Sequence, residues 1–362
     1  MAKPLGLVGV LSTRRAGAHP FPEGGYFRQL MRAGRRLGIR VIAFSPLDIN
    51  WANGTVLGFT HNGSSWQAGR YPVPRIVYDR IFASRGHWQR YWSNARRMRR
   101  TYRVRFMGRG LHGKWQFYRI ARRVPELKPH IPETHVITGT GTVLAMLSRH
   151  RTVYLKPVFG SGGQGIIRVT RRGGMYVVRS SGGGRRTLSA GELPSVLAGT
   201  RRRYVVQQGL DLAYVHGSPY DVRSIVQKNG EGEWQVTGKA ARIGRRHSIT
   251  SNLHTGGHAR TVKAVLESYF PDRAAEIEQE IESLAIRVAQ VMERRAGPLC
   301  DLGLDMGIDR QGKVWLIEVN SKPGRKVFRL TRDREARRMS IETPMAYARY
   351  LIERRNKGRK SE

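Results

Sequence analysis

The chain has 362 residues, 40% of them hydrophobic, with 65 Lys and Arg against 26 Asp and Glu and a formal net charge of +39. That length supports two or three packed subdomains around a buried core, and the single cysteine, Cys300, excludes an internal disulfide and fits a reducing cytosol. The opening apolar run Leu5–Leu11 is too short for a membrane span and meets Arg14 and Arg15 too soon for a signal peptide, so the expected location is cytoplasmic.

In chain order, Leu5–Leu11 reads as a buried parallel strand, 25–37 as a helix with Phe27, Leu30 and Met31 on one face, and 40–44 as the next strand, a βαβ opening. A short strand follows over 73–79. From 81 to 109 the chain is rich in Arg, Trp and Tyr without clean periodicity. Helices are expected over 114–122 and 140–148, and strands over 135–137 and 153–158. Residues 166–169 and 175–179 alternate like a hairpin, and 203–207 is a further strand. A second hairpin, 221–228 with 234–241, turns near Asn229-Gly230. The longest helix, 274–295, carries Ile277, Ile281, Leu284, Val288 and Val291 as one stripe. Residues 303–308 and 313–320 form a last hairpin, and a basic helix with a charged, frayed end follows Arg332.

Two segments carry chemistry. Tyr154-Leu-Lys156-Pro-Val-Phe-Gly160-Ser-Gly-Gly-Gln-Gly-Ile166 places a lysine at a strand end before a glycine run. Such a loop lets backbone N–H groups approach phosphate oxygens while the ammonium supplies a point charge. No Gly-Lys-Ser/Thr ends it and no helix follows, so it is a hairpin flap and neither a Walker A nor a Rossmann loop. In Asp301-Leu-Gly-Leu-Asp305 and Trp315-Leu-Ile-Glu318-Val-Asn320, two carboxylates and an amide are hard ligands suited to Mg²⁺ on phosphates. Glu318 and Asn320, two apart on a strand, project to one face. A third segment, Ala240-Ala-Arg242-Ile-Gly followed by Ser251-Asn-Leu-His-Thr-Gly-Gly257, is by itself only a loop with a turn.

Taken together, the order and spacing of these segments resemble the ATP-grasp superfamily. The resemblance implies a phosphate flap at Lys156 and Gly160, Ser161, Gly162, Gly163, Gln164 and Gly165. It puts a first nucleotide-contacting lysine at Lys114 and an adenine-binding hinge at Gln207, Gln208, Gly209 and Leu210. It makes Asp305, Glu318 and Asn320 the Mg²⁺ ligands (Mn²⁺ could substitute), and Asp221-Val-Arg223 a common Asp-x-Arg element. The run from Arg242 through Asn252-Leu253 to Gly257 is similar to bacterial glutathione synthetase and the ribosomal-protein glutamate ligases. Those relatives carry an arginine where this chain has Thr250, so contact with an acyl phosphate falls to Arg242 or Arg223, with Asn252 beside them. Over nearly the whole length the chain resembles the YheC/YheD family of spore-coat-associated ATP-grasp proteins of endospore formers. Leu7–Leu11, Val77-Tyr-Asp-Arg80, Gly113-Lys-Trp115, Pro132-Glu-Thr134, Lys156-Pro157 and Asn252-Leu253 carry that likeness.

The resemblance implies a mixed α+β and α/β chain, in which two α+β lobes sandwich ATP behind a preATP-grasp α/β domain. Expected boundaries are 1–108 for the α/β domain, 109–202 for the small flap-bearing lobe, 203–335 for the large lobe and 336–362 for a basic tail. The implied chemistry is carboxylate activation by ATP, followed by attack of an amine or thiol. The cation excess implies an acidic peptide, an anionic polymer or an acidic coat protein as substrate or docking surface. The Arg, Trp and Tyr of Trp88–Arg105 admit a nucleic-acid surface, but no recognition motif accompanies them. A coat component that binds ATP without turnover is the remaining alternative. Retention of all three metal ligands argues against it.

Overall fold

The computed structural model describes residues 4–82, 88–108, 110–111, 113–160, 162–200, 203–246, 248–249, 251 and 256–358. The first unit contains β1 (Leu7–Leu11), α1 (Gly24–Arg36), β2 (Arg40–Asn50), β3 (Thr55–His61), β4 (Trp66–Pro72), β5 (Ile76–Asp79), α2 (Trp88–Thr101) and β6 (Arg105–Phe106). Its sheet runs β4-β3-β2-β1-β5-β6, parallel at β2-β1-β5-β6 and antiparallel through the β3–β4 hairpin. That hairpin extends the anticipated βαβ opening. In the Arg- and Trp-rich stretch, α2 buries only Ala95 and Met98, which explains its weak periodicity.

The second unit holds α3 (Gly113–Ala121), β7 (Thr134–Val136), α4 (Thr140–Arg149), β8 (Thr152–Pro157), β9 (Ile167–Arg172), β10 (Met175–Ser180), β11 (Arg185–Leu188), α5 (Leu193–Leu197) and β12 (Tyr204–Gln208). Its antiparallel sheet has the order β11-β10-β9-β8-β12-β7. Val153 and Leu155 of β8 pack with Met146 and Leu147 of α4 in one core. Alternation therefore turns Tyr154 and Lys156 to the opposite face.

The third unit comprises β13 (Tyr214–Val215), β14 (Ser218–Lys228), β15 (Trp234–Ile243), β16 (His258–Arg260), α6 (Val262–Tyr269), α7 (Ala274–Ala296), β17 (Asp301–Ile308), β18 (Val314–Asn320), α8 (Lys326–Leu330) and α9 (Arg334–Gly358). The sheet order is β16-β15-β14-β17-β18, with β13 paired to β14. On β17, Leu302, Leu304, Met306 and Ile308 enter the core with the α7 stripe Ile277, Ile281, Leu284, Val288 and Val291. Each such aliphatic side chain contributes about 1.5–3 kcal/mol on leaving water. The other register of β17, Asp301, Gly303, Asp305 and Gly307, faces away from α7. The basic helix α9 buries Met345, Tyr347, Ala348, Leu351 and Ile352 in the core that holds β1, β2 and α1. Among the described residues, no helix is long and apolar enough to cross a membrane.

Candidate functional site

A cavity of about 390 Å³ lies between the second and third sheets. Lys156 of β8 and Gln207 and Gln208 of β12 line one wall; Asp221, Arg223, Arg242, Asp305, Glu318 and Asn320 line the other. Gly162 and Gly163 of the flap close over it. Both have φ near +72°, a left-handed backbone open to glycine at no steric cost, which is why the turn is built from that residue.

The third sheet brings its polar groups together through pairing. Asp305 stands opposite Glu318, and Gly303 opposite Asn320. A register shift between Asp305 and Met306 leaves Ile317 as the extra residue of a bulge. The bulge places Ile317 beside Glu318 on the cavity wall, where strict alternation would have separated them. On the neighbouring strands Asp221 pairs with Arg242, and Arg223 with Asp305. Four side chains thus form one chain of ion pairs. Arg242 donates from Nε to Asp221 at 2.7 Å and from Nη2 to Asp305 at 3.0 Å; Arg223 donates from Nη2 to Asp305 at 2.9 Å. Ser251 Oγ donates to Asp221 at 2.6 Å. Burial pushes the Asp305 carboxyl upward, but the guanidiniums of Arg223 and Arg242 reverse this and bring it down to about 2. Burial works against the Arg242 charge in turn, and Asp221 and Asp305 raise its pKa nonetheless.

Across the cleft, Lys156 Nζ donates to Gln207 Oε1, and the Gln207 amide donates to Thr134 Oγ1 at 3.0 Å. Beneath them the Tyr118 hydroxyl of α3 donates to the Ile317 carbonyl. Burial raises the Tyr118 pKa, a hydrogen bond with Gln207 lowers it, and the Glu318 and Asp305 carboxylates add to the rise. Tyr118 thus stands between the Lys156–Gln207 pair and the Asp305 and Glu318 carboxylates. Tyr154, Ile166, Leu210, Leu212 and Ile317 give the cavity apolar walls suited to a planar base.

Of the residues expected at the site, Lys156, Gly162, Gly163, Gln207, Gln208, Leu210, Arg223, Arg242, Asp305, Glu318 and Asn320 line this one cavity. Gly160, Gln164 and Gly165 lie in the flap without lining it. Gly209 lies behind it: its N–H donates to the Thr152 carbonyl at 2.8 Å, and an added Cβ would come within 2.7 Å of that oxygen. Ser161 and Asn252 lie outside the described residues, as do Thr250, His112, His254 and the Lys114 side chain. Arg14 pairs with Asp48 at 3.3 Å and does not reach the cleft. Cys300 is buried, and burial raises its thiol well above the usual range, as befits a core filler. Two of the lining lysines were not anticipated. Lys326 lies on α8, and Lys322 follows Asn320 by two, a spacing that could have marked it; Lys322 Nζ is held by Asp79 at 2.8 Å and the Ile81 carbonyl at 2.9 Å.

Two carboxylates and an amide on paired strands fit a hard divalent cation, and both Asp305 oxygens already face cationic partners. Among the described residues no group of three His, Cys, Asp or Glu is placed to hold a metal ion, so a cation here relies on the Asn320 amide as its third protein donor.

The family described as YheC/D-like ATP-grasp matches residues 103–351. Endospore coat-associated protein YheD of Bacillus subtilis (strain 168) is 27% identical over 345 residues, 92% of this chain and 76% of that protein. Endospore coat-associated protein YheC of the same organism is 28% identical over 339 residues, 91% of this chain and 93% of that protein. Among solved structures, the ATP-grasp ligase PsnB complexed with minimal precursor superposes with a TM-score of 0.56 at 14% identity, covering 95% of this chain and 99% of PsnB. PsnB with minimal precursor, Mg and ADP gives 0.51 at 13% identity over 97% and 99%. The D-alanine-D-alanine ligase from Coxiella burnetii gives 0.52 at 12% identity over 98% and 99%. At these identities the likeness is one of fold: the two facing sheets are those of the ATP-grasp ligases.

Proposed function

The chain belongs to the YheC/D-like ATP-grasp family, and on that premise we propose that it is an ATP-dependent ligase that activates the carboxylate of an acidic peptide and joins it to an amine or thiol. The observation that carries this reading is the meeting, in one cleft, of a lysine and glycine flap with the Asp305–Glu318–Asn320 donors and the Arg223–Arg242 pair. ATP enters with its base between the apolar walls and its phosphates under the flap, where Lys156 neutralises charge. Asp305, Glu318 and Asn320 would hold Mg²⁺, or Mn²⁺ in its place, which supplies charge neutralisation and alignment of the phosphates when bound. A carboxylate oxygen of the substrate takes the γ-phosphoryl group and ADP departs. The amine or thiol then attacks the acyl carbon, and inorganic phosphate leaves. Arg223 and Arg242, which line the same cavity, would stabilise the negative charge of the acyl phosphate, so catalysis is positioning plus electrostatics and uses no protein nucleophile.

PsnB binds a precursor peptide together with Mg and ADP in its solved complex, which supports a peptide as the carboxylate donor. The +39 net charge supports an acidic one. The coat-associated relatives support a role in the mother-cell cytosol or at the forming spore coat. The test is ADP release with glutamate-rich peptides against neutral amino acids, combined with ¹⁸O labelling of the carboxylate. Label should appear in the released phosphate, and activity on the acidic peptides should fall with added NaCl. Release of AMP, or phosphate free of ¹⁸O, would overturn the acyl-phosphate route. Turnover of neutral acids with no salt dependence would overturn the acidic substrate.

A further inference from the structure

In the second unit, β9, β10 and β11 carry a row of three arginines. Arg168 stands directly opposite Arg179, and Arg179 directly opposite Arg185. On its other side Arg168 is the register partner of Tyr154, a wall residue of the cleft cavity. Val169 and Val178, which alternate with them, enter the core with α4 and α5, so the row lies on the opposite face of the sheet, the one that Tyr154 and Lys156 share. It starts beside the cavity and leads away to the outer strand β11; none of the three arginines lines the cavity itself.

Such a row is costly. Directly opposite residues on antiparallel strands lie about 4.5–5.5 Å apart at Cα, and like charges there destabilise the sheet. Two consecutive like-charge pairs are retained here, and the protein does not relieve them. None of the three arginines makes an ion pair among the described residues, and the one acidic residue outside those is Glu362. The buried Nε of Arg168 has no hydrogen-bond partner either. Arg168 does act on its neighbour: burial raises the Tyr154 pKa, and the guanidinium offsets part of that rise. A break of the pairing rule with no compensation inside the chain marks a place where a ligand supplies it.

We infer that the Arg168–Arg179–Arg185 row is a docking track that leads a carboxylate-rich polypeptide to the cleft. Neighbouring strands lie about 4.8 Å apart, so the row spans about 10 Å, the length of three extended residues. Guanidinium forks grip carboxylates in two-point geometry, so an acidic run laid across the strands offsets the repulsion that the sheet retains. One end of that run lies at Tyr154, beside the cavity that Arg223 and Arg242 line. Nucleic acid is the poorer match for this face. Tyr176, the one aromatic residue of β9, β10 and β11, packs toward the core, and the face of the row adds Thr170, Val177 and Thr187. The exposed Trp88 and its neighbour Trp92, which offer bases a stacking surface, are on α2 in the first unit. The inference rests on the acidic-peptide reading above, and its test needs no turnover, so failure of either is separately visible.

Fluorescence anisotropy of a labelled deca-glutamate peptide, in low salt without nucleotide, measures the track directly. The Arg179→Gln/Arg185→Gln variant should bind roughly tenfold more weakly. Arg171→Gln/Arg186→Gln removes the same charge from the same strands but from the other face, and should stay within about twofold. Arg179→Glu gives both neighbours an opposite charge, so it should abolish binding while melting at or above wild type, which keeps the loss from being one of folding. A lower melting temperature in that variant would overturn the unrelieved repulsion on which the track rests. Equal losses in both double variants would overturn the track in favour of general charge attraction. Unchanged affinity in the first, or tighter binding of an oligothymidylate of equal charge, would overturn it outright.

Discussion

Asp301 and Asp305 stand four residues apart on the same face of β17, both buried, each beside two arginines. At Asp301 the partners are Arg325 and, at 4.0 Å, Arg80, with the Tyr78 hydroxyl donating to the same carboxylate. Arg80 is 1% exposed and is held by Glu23, the residue just before α1, at 2.7 and 2.8 Å, so this network ties the first unit to the third. At Asp305 the partners are Arg223 and Arg242, which open onto the cleft. The two sites use the same chemistry of carboxylate and guanidinium. What separates them is the wall opposite: protein closes over Asp301, and a cavity opens over Asp305. Burial behind protein makes an ion pair costly to break, whereas an open cavity lets a ligand exchange with one of the partners.

That contrast is sharpest in substitutions. Asp301→Asn should cost about 3–5 kcal/mol in urea unfolding, because it strands a buried guanidinium, and the folded fraction should keep its ATP turnover. A loss of turnover without loss of stability would erase the distinction between the two ends of the strand. Glu318→Ala, beside Asp305, should do the opposite. Mg²⁺-dependent ADP release should drop roughly 10²–10³-fold, about 2.7–4 kcal/mol, with the melting temperature little changed. Wild-type rates in that protein would remove the acidic pair from the mechanism. Lys156→Ala, across the cleft, should weaken ATP binding in calorimetry by about 10- to 100-fold, the worth of one charge-assisted contact of ~1.5–3 kcal/mol. An unchanged constant would mean that the phosphates lie elsewhere.

The last prediction concerns acid. The Asp305 carboxyl is held at about 2 in the folded chain against an ordinary 3.8. Its depressed pKa adds stability that is complete above pH 4 and is lost as pH falls through about 2. The full contribution is on the order of 2 kcal/mol. Wild type and Asp305→Asn should therefore converge in stability between pH 4 and pH 2. Parallel curves through that window would show that the arginines do not act on this carboxylate.

Much of the third unit was legible because its apolar residues alternate cleanly along the strands. Leu302, Leu304, Met306 and Ile308 declare one face of β17, and the α7 stripe declares what covers it. The flap was legible from Gly162 and Gly163, since few other residues tolerate that backbone. Ile317 was not, because a bulge changes parity without leaving any mark in composition. The β3–β4 hairpin also escaped notice. Its Asn62-Gly63 turn is plain, but β4 reads Trp66-Gln-Ala-Gly-Arg-Tyr-Pro72 and has no fully buried residue to set a period. Pairing through space, as between Asp221 and Arg242 or Lys322 and Asp79, has no sequence signal at all.

The packing of α9 has a consequence for how the chain is made. Ile352 lies against Gly6 at the start of β1, and its neighbours Leu351, Ala348 and Met345 complete the same core. A nascent chain emerging at ~5–20 residues per second thus holds its first βαβ unit incomplete for roughly 15–60 s, until residues some 300 positions later leave the ribosome. During that interval the apolar side of α1, with Phe27, Leu30 and Met31, lacks its final cover. This protein should therefore depend on chaperones that shield early hydrophobic surface, and proteolytic loss of α9 should unseat the N-terminal unit before it disturbs the cleft.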